Sequence, residues 1–182
     1  MHRSVVEFFI RNVRPAEVSG RTILEAGSLE INGSVKPYFT RFGPSEYIGI
    51  DMVDGPGVDY CVKIEDFQSP PFDIVVSTET LEHAEDWKAT VTAIKALCKP
   101  EGLLYITTRS PGFWRHCYPN DHWRYTQEDF RRIFADCEIL ILEDDTQTTP
   151  VPHPGVFMKA RKPLDFTPCS LDDIVLEPAP SE

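Results

Sequence analysis

Short apolar segments alternate along the chain with segments whose apolar residues recur at helical spacing. Apolar runs of roughly four to eight residues, bounded by turn residues, are typical of buried strands. By this criterion we predict seven strands, at residues 21–27, 47–51, 58–63, 72–77, 103–108, 138–145 and 155–162. Helices are predicted at 4–13, 34–42 and 84–98. Another helix is predicted to start near Thr126, where Asp129 completes a capping pattern.

The order of these elements predicts an α/β fold. Strand 72–77 is apolar at nearly every position, which is typical of a strand buried on both faces of a parallel sheet. A proline-containing loop, not a helix, separates the last two strands, so one strand near an edge must run antiparallel. We therefore expect a seven-stranded, mostly parallel sheet with helices on both faces. It occupies one domain, residues 1–163, and the acidic segment 164–182 is predicted to be a disordered tail.

Composition narrows the classes of partner. The fractions of hydrophobic (41%) and charged (26%) residues are ordinary for a globular protein. A net charge of −11 repels phosphate backbones, so nucleic acid is not expected as a partner. No apolar stretch approaches the roughly 20 residues that cross a membrane. The five cysteines include no CxxC pair, which predicts reduced thiols and a cytoplasmic protein.

Two features of the first strands indicate a ligand site. The segment ILEAGSLEINGS (23–34) leads from a strand into a glycine-bearing turn, where Gly27 permits close approach to the backbone. The amides of residues 32–34 lie near a helix start. Asp51 ends the next strand, 18 positions after Gly33, where an acid can accept both hydroxyls of a ribose. Taken alone, the first feature also occurs in ordinary strand–turn–helix connections, and the second also fits an aspartate that favours a turn.

The missing motifs restrict the kind of nucleotide. The dinucleotide fingerprint GxGxxG is absent, which argues against a nicotinamide-dependent dehydrogenase, and no GKS or GKT marks a P-loop. A ligand with a ribose but no phosphate needs neither motif. Glu25, an acid inside the first strand, suits a ligand that carries a cationic amine. The pattern therefore favours a phosphate-free nucleoside.

Four segments in order resemble the class I S-adenosylmethionine-dependent methyltransferases of the broad group called type 11. They are ILEAGS (23–28), YIGID (47–51), FDIVVSTETLEHAEDW (72–87) and LCKPEGLLYITT (97–108). The resemblance covers about residues 21–162. It implies a Rossmann-like fold, S-adenosylmethionine as cofactor and S-adenosylhomocysteine as product. The chain departs from the family's glycine pattern, because the middle glycine is missing, and the link between strands two and three is short.

The resemblance also implies cofactor-binding roles by position. Against the methionine part it places Glu25, Gly27, Ser28, Thr78 and Glu79; on the ribose, Asp51; and at the adenine, Met52, Asp66 and Phe67. Asn32 and Gly33 belong to the glycine turn, where Asn32 stands in for the missing glycine. His83 is expected near the pocket, although it is equally suited to anchoring the helix that follows it.

The loop after the fifth strand is the candidate acceptor site. Its segment SPGFWRHCYPNDHWRYTQEDF (110–130) resembles one found in methyltransferases encoded with glycan and surface-polysaccharide genes. His116 and His122 are the candidate general bases. Three aromatic residues suit packing on a sugar face: Trp114, Tyr118 and Trp123. We expect Arg124 to lock the loop by packing, and no metal, because the spacing of His116, Cys117 and His122 fits no common zinc pattern.

These features together predict methyl transfer from S-adenosylmethionine to an oxygen or nitrogen of a small molecule or sugar. The alternative is a non-catalytic, methyltransferase-like module that binds or regulates a partner. Asp51 and Glu25 argue for the enzyme, because a scaffold does not need them. The oligomeric state has no signal in the sequence.

Overall fold

The computed structural model describes residues 2–116, 120–145 and 152–181. Its helices are α1 (Arg3–Asn12), α2 (Pro15–Val18), α3 (Lys36–Thr40), α4 (Trp87–Ala96) and α5 (Gln127–Ile133). Its strands are β1 (Thr22–Ala26), β2 (Glu46–Asp51), β3 (Tyr60–Cys61), β4 (Phe72–Thr78), β5 (Cys98–Arg109), β6 (Trp123–Arg124), β7 (Glu138–Asp144), β8 (Gly155–Arg161) and β9 (Glu177–Pro178). Short 3-10 turns occupy Ile64–Asp66 and Leu81–His83. No helix in the described ranges is long and apolar enough to cross a membrane.

Seven strands form one sheet in the order β3-β2-β1-β4-β5-β8-β7. The pairs among β1 to β5 are parallel, whereas β8 runs antiparallel to both β5 and β7. The expected Rossmann-like α/β sheet, with its antiparallel strand next to one edge, is therefore confirmed. Chain order reverses between β1 and β4, and ligands of open α/β sheets bind at such a point, beyond the carboxyl ends of the strands.

The sheet separates two apolar cores. On one face, α1 and α3 pack through Phe8, Phe9 and Phe39 onto alternate residues of the strands, such as Ile74 and Tyr105. The other face carries α4 and α5, with Val91, Ile94 and Phe130 among its buried residues. Alternate side chains of one strand point to opposite faces, so the nearly continuous apolar run of β4 fills both cores.

Some elements are shorter than the sequence predicts. The strand expected at 58–63 pairs with β2 only at Tyr60 and Cys61, because it lies at the sheet edge and turns away after two residues. The helix expected at 84–98 begins at Trp87, since the Asp86 carboxylate caps it by accepting from the Ala89 amide at 3.0 Å. Its last predicted residue, Cys98, is instead the first residue of β5.

The acidic tail differs from the expected disorder. Ile174 and Leu176, 5% and 4% exposed, join the core on the α4 and α5 face. Beyond them β9 pairs antiparallel with β6, which belongs to the loop after β5. Lys88 and Arg132 donate to the backbone carbonyls of residues 172 and 173. The tail docks as an extended chain mainly through Ile174 and Leu176, and this alternation is too short to appear as a strand pattern in the sequence.

Candidate functional site

A cavity of about 750 Å³ opens at the carboxyl ends of β1, β2 and β4. This volume lies within the range of roughly 300–1,000 Å³ usual for small-molecule sites. Most of the residues selected from the sequence meet there. The cavity is lined by Glu25, Gly27, Ser28, Asn32, Gly33, Asp51, Met52, Asp66, Thr78, Glu79 and His83, and also by His116 and His122. Phe67 is not among the lining residues, because its ring packs towards Tyr60 with centroids 5.8 Å apart.

The turn after β1 requires glycine at position 27. Gly27 has a φ of +78°, which favours glycine, and a Cβ there would overlap the Thr80 side chain. The Thr80 hydroxyl lies 3.3 Å from the Ala26 carbonyl and 3.0 Å from the Thr78 carbonyl, so it links the tips of β1 and β4. Just beyond Gly27, the buried Ser28 hydroxyl has no partner among the described residues. The turn therefore presents backbone and an unused hydroxyl to the cavity.

Backbone amides fix the Asp51 carboxylate at the end of β2. Its Oδ1 accepts from the Val53 amide at 3.0 Å, and its Oδ2 accepts from the Leu29 amide at 3.2 Å. A carboxylate has about four acceptor positions, so each oxygen keeps one for a ligand. Asp51 is thus held in position to accept two hydroxyl groups from the cavity.

Glu25 is the buried acid of this cavity. It is 3% exposed, and the Tyr47 hydroxyl donates to its Oε2 at 2.7 Å. Burial raises the pKa of Glu25 to about 7, and the Tyr47 hydrogen bond and Lys36 oppose the rise. A cationic group of a bound ligand would stabilise the ionised form of this carboxyl.

Glu79 borders the cavity in a strained conformation. Its φ is +53°, which is rare for a residue other than glycine and occurs mainly where surrounding contacts enforce it. The carboxylate is ion-paired with Arg109 and accepts from the Thr107 hydroxyl at 3.0 Å. Arg109 is completely buried and also lies 3.5 Å from Asp145. This network holds the backbone after β4 in its unusual shape.

The loop after β5 is held together by the buried ion pair of Asp121 and Arg124. The guanidinium donates to both carboxylate oxygens of Asp121, at 2.6 and 2.7 Å, and also to the carbonyls of Phe113 and Trp114. Asp121 in turn accepts from the His116 backbone amide at 2.9 Å. Arg124 therefore locks the loop by packing and hydrogen bonding, as its sequence context predicts.

The two candidate bases occupy different surroundings within the cavity wall. His116 Nδ1 lies 3.1 Å from Asp121 Oδ2. Burial lowers the pKa of His116, as do His83, Arg124 and Arg109, while Asp121 opposes the shift. His122 is held by its backbone, which donates to the Glu82 carbonyl and accepts from the Ala179 amide, both at 2.8 Å.

The proposed sugar-packing aromatics do not gather at the cavity. Trp123 Nε1 donates to the Ala84 carbonyl at 2.9 Å, and Trp114, 45% exposed, stacks on Phe113. Neither lines the cavity. Tyr118, like Cys117 and Pro119, lies outside the described residues. Two residues of this region were not selected from the sequence. Glu82 is buried next to His83, and His2, near the start of the chain, lines the cavity. The position of Glu82 within the segment 72–87, which resembles a family motif, is the signal that could have revealed it.

Comparisons with known proteins identify the family of the chain. Residues 3–136 match the family model described as "Methyltransferase domain". The ubiquinone biosynthesis O-methyltransferase of Neisseria meningitidis serogroup A is 27% identical over an alignment of 121 residues, and the match covers 56% of this chain and 50% of that protein. The chain thus spans about half the length of the curated relatives it matches.

Solved structures share the fold at low identity. The 1,6-didemethyltoxoflavin-N1-methyltransferase of Burkholderia thailandensis, with bound S-adenosylhomocysteine, has a TM-score of 0.66 and 15% identity over 87% of this chain and 78% of its own. The N-methyltransferase NodS of Bradyrhizobium japonicum WM9, in complex with S-adenosylhomocysteine, has a TM-score of 0.65 and 13% identity over 88% and 87%. The family match covers most of the chain and confirms the resemblance in its motifs; the protein is a member of the methyltransferase domain family.

Proposed function

We propose that this chain transfers a methyl group from S-adenosylmethionine to an oxygen or nitrogen atom of a small molecule or sugar. The observation that carries the proposal is the meeting of Asp51, Glu25 and Gly27 in one cavity at the carboxyl edge of the sheet. Together they offer an acceptor for ribose hydroxyls, a partner for an amine and a close backbone approach. Methyltransferases with the same fold, such as NodS, bind S-adenosylhomocysteine.

The residues present fit this cofactor. Asp51 keeps two acceptor positions for the ribose, and the Ser28 hydroxyl is buried without a partner among the described residues. Glu25 is the buried carboxyl that a cationic amino group would complement. We assign Met52 and Asp66 to the adenine, and Asn32, Gly33, Thr78, Glu79 and His83 to the wall around the methionine part. Phe67 is left out, because it packs outside the cavity.

The chemistry asks little of the protein beyond positioning. When bound, S-adenosylmethionine supplies a methyl group on a positively charged sulfur, which is already activated for transfer. The residues of the cavity orient the acceptor and exclude water. An alcohol acceptor also has to lose a proton, and we propose His116 or His122 as the group that takes it, because both line the cavity.

Binding of the cofactor tests the assignment of Asp51. Replacing Asp51 by alanine removes a charged acceptor, and hydrogen bonds to charged groups contribute about 1.5–3 kcal/mol. We expect the affinity for S-adenosylmethionine, measured by titration calorimetry, to fall roughly ten- to a hundredfold. Asp54→Ala is the control, because Asp54 is an exposed acid in the same link and does not line the cavity. Unchanged affinity in a folded Asp51→Ala protein would show that Asp51 does not bind the ribose.

Turnover tests the two histidines. With the acceptor identified by a radiolabelled screen of sugars, lipid-linked glycans and metabolites, we expect His116→Ala or His122→Ala to lower turnover by roughly 10²–10⁴. Affinity for S-adenosylmethionine should change little. If both variants keep full turnover, neither histidine is the base. A chain that binds the cofactor but methylates nothing in the screen would instead support the non-catalytic binding module.

The proposed setting is the cytoplasm. The cysteines in the described parts of the chain are free thiols, at positions 61, 98, 137 and 169, as expected for a reducing compartment. The net charge of −11 continues to disfavour nucleic acid as the acceptor.

A further inference from the structure

Three side chains with metal-ligating atoms converge on one side of the cavity. Glu82 and His83 lie in the 3-10 turn after β4, and His116 reaches them from the loop after β5. One carboxylate oxygen of Glu82 and one ring nitrogen of each histidine all lie within 4.8 Å of one another. The rings of His83 and His116 meet edge to face, with their centroids 4.8 Å apart. Residues from two separate segments thus form a cluster of two imidazoles and one carboxylate.

Each member of the cluster is held from behind by a second contact. His83 Nδ1 lies in hydrogen-bond contact with the Asn120 carbonyl, which can only accept, so His83 keeps Nε2 as a lone-pair donor. Glu82 Oε2 accepts from the Thr108 hydroxyl at 2.7 Å. Asp121, fixed by Arg124, accepts from the His116 amide and lies beside its ring. Such outer contacts, to a carboxylate or a backbone carbonyl, orient nearly all metal-ligating histidines.

The cluster offers acceptors and lacks donors. Glu82 is completely buried, yet its Oε1 has no hydrogen-bond partner among the described residues. An unpaired buried carboxylate oxygen is costly, and a cation would satisfy it. The two buried arginines whose charges act on His116 are already engaged, Arg109 with Glu79 and Arg124 with Asp121. A bound metal ion is therefore the partner that this arrangement of lone pairs calls for.

We infer that Glu82, His83 and His116 bind a divalent first-row transition-metal ion. Two imidazoles and one carboxylate are typical of zinc and iron(II) sites that keep open coordination positions, whereas Mg²⁺ and Ca²⁺ prefer oxygen ligands alone. Ligand atoms about 2.1 Å from one ion stand roughly 3–3.5 Å apart. The three atoms lie within 4.8 Å of one another, so binding an ion would require side-chain movements of about an ångström.

The inference goes beyond the proposed function, because ion binding is a property of the chain alone. His83 and His116 are part of the cavity wall and Glu82 lies beside them, so an ion held by the three would lie at the edge of the cavity. The role there rests on the proposed function: the ion would hold an acceptor oxygen, and His122 would be the histidine left to take its proton. The sequence spacing of His116, Cys117 and His122 did not show this site, because two of its ligands come from the turn after β4.

Metal titration without cofactor or acceptor tests the inference. The full chain, free of any polyhistidine tag, is stripped with a chelator and titrated with Zn²⁺ by calorimetry and with Co²⁺ by visible absorption. We expect one ion per chain and Co²⁺ bands typical of nitrogen and oxygen ligands. Glu82→Gln, His83→Ala and His116→Ala should each weaken binding at least about tenfold, the lower end of the effect of disturbing such sites.

Two matched variants control for the many other acids and imidazoles. Glu85→Gln and His122→Ala change cavity-lining residues of the same types outside the cluster, and binding should stay within twofold in both. Glu82→Gln keeps the shape of the side chain, and circular dichroism verifies its fold. The inference is wrong if stoichiometric binding is absent, or if the cluster variants bind like the controls. Neither result touches the cofactor assignment, which the Asp51 titration tests separately.

Discussion

At the scale of single residues, some groups of the site could be predicted from the sequence and others could not. Gly27 and Asp51 stand at strand ends, where local sequence predicts both the turn and the acid, and the structure brings them to one cavity. Glu82 and His2 reach the same region through contacts between distant segments. No spacing rule covers such contacts, because they depend on how separate loops pack. The sequence therefore predicted the residues at the strand ends, but not the residues that distant segments bring to the same cavity.

The buried carboxyl of Glu25 makes stability depend on pH. Its pKa is raised from 4.5 to about 7 by burial, so the folded chain keeps a proton that the unfolded chain releases. Below pH 4.5 both states are protonated and the group has no effect. As pH rises from about 4.5 to 7 the free energy of unfolding therefore falls, by about 3 kcal/mol for a shift of this size. Above pH 7 the loss is complete.

Glu25→Gln should remove this pH dependence. Urea unfolding of the ligand-free protein between pH 5 and 8 measures it, and the difference in unfolding free energy between the variant and the natural chain should grow in favour of the variant up to about pH 7. A constant difference over that range would mean that Glu25 titrates normally.

At the scale of elements, the docked tail is the main departure from the sequence prediction. Ile174 and Leu176 are buried while Val175 between them is 85% exposed, an alternation that is too short to stand out in a proline-rich acidic segment. Paired strands, by contrast, were found from their longer apolar runs. Element prediction therefore succeeded where an element carries its own period. Element prediction failed for the tail, where, among the described residues, only Ile174 and Leu176 are buried against other elements.

The tail should contribute to stability through these two side chains. Truncating a buried leucine or isoleucine to alanine costs about 2–5 kcal/mol. We expect Ile174→Ala and Leu176→Ala each to lower the free energy of unfolding by that amount in urea titrations. Val175→Ala, at the exposed position between them, should change it by less than about 0.5 kcal/mol. Equal, small effects at all three positions would show that the tail does not dock in solution.

At the scale of the whole molecule, the topology of the sheet determines where the cavity lies. The α/β class and the antiparallel β8 follow from the order of apolar runs, and the switch point between β1 and β4 follows from the topology. The carboxyl ends of β1, β2 and β4 form the part of the cavity that we propose for the cofactor. The side of the cavity that we propose for the acceptor belongs to the loop after β5, whose irregular backbone is held by the Asp121–Arg124 ion pair and has no repeating pattern.

The pairing of β6 with β9 joins the loop after β5, our candidate acceptor site, to the tail as one structural unit. His122, on that loop, is bonded through its carbonyl to Ala179 of the tail, and the strand pair lies directly beyond it. A recombinant chimera that takes this loop from a relative, in order to change the methylated compound, would leave the transplanted backbone unpaired along one side. Redesign of acceptor choice on this scaffold therefore calls for a two-piece graft, in which loop and tail are inherited together.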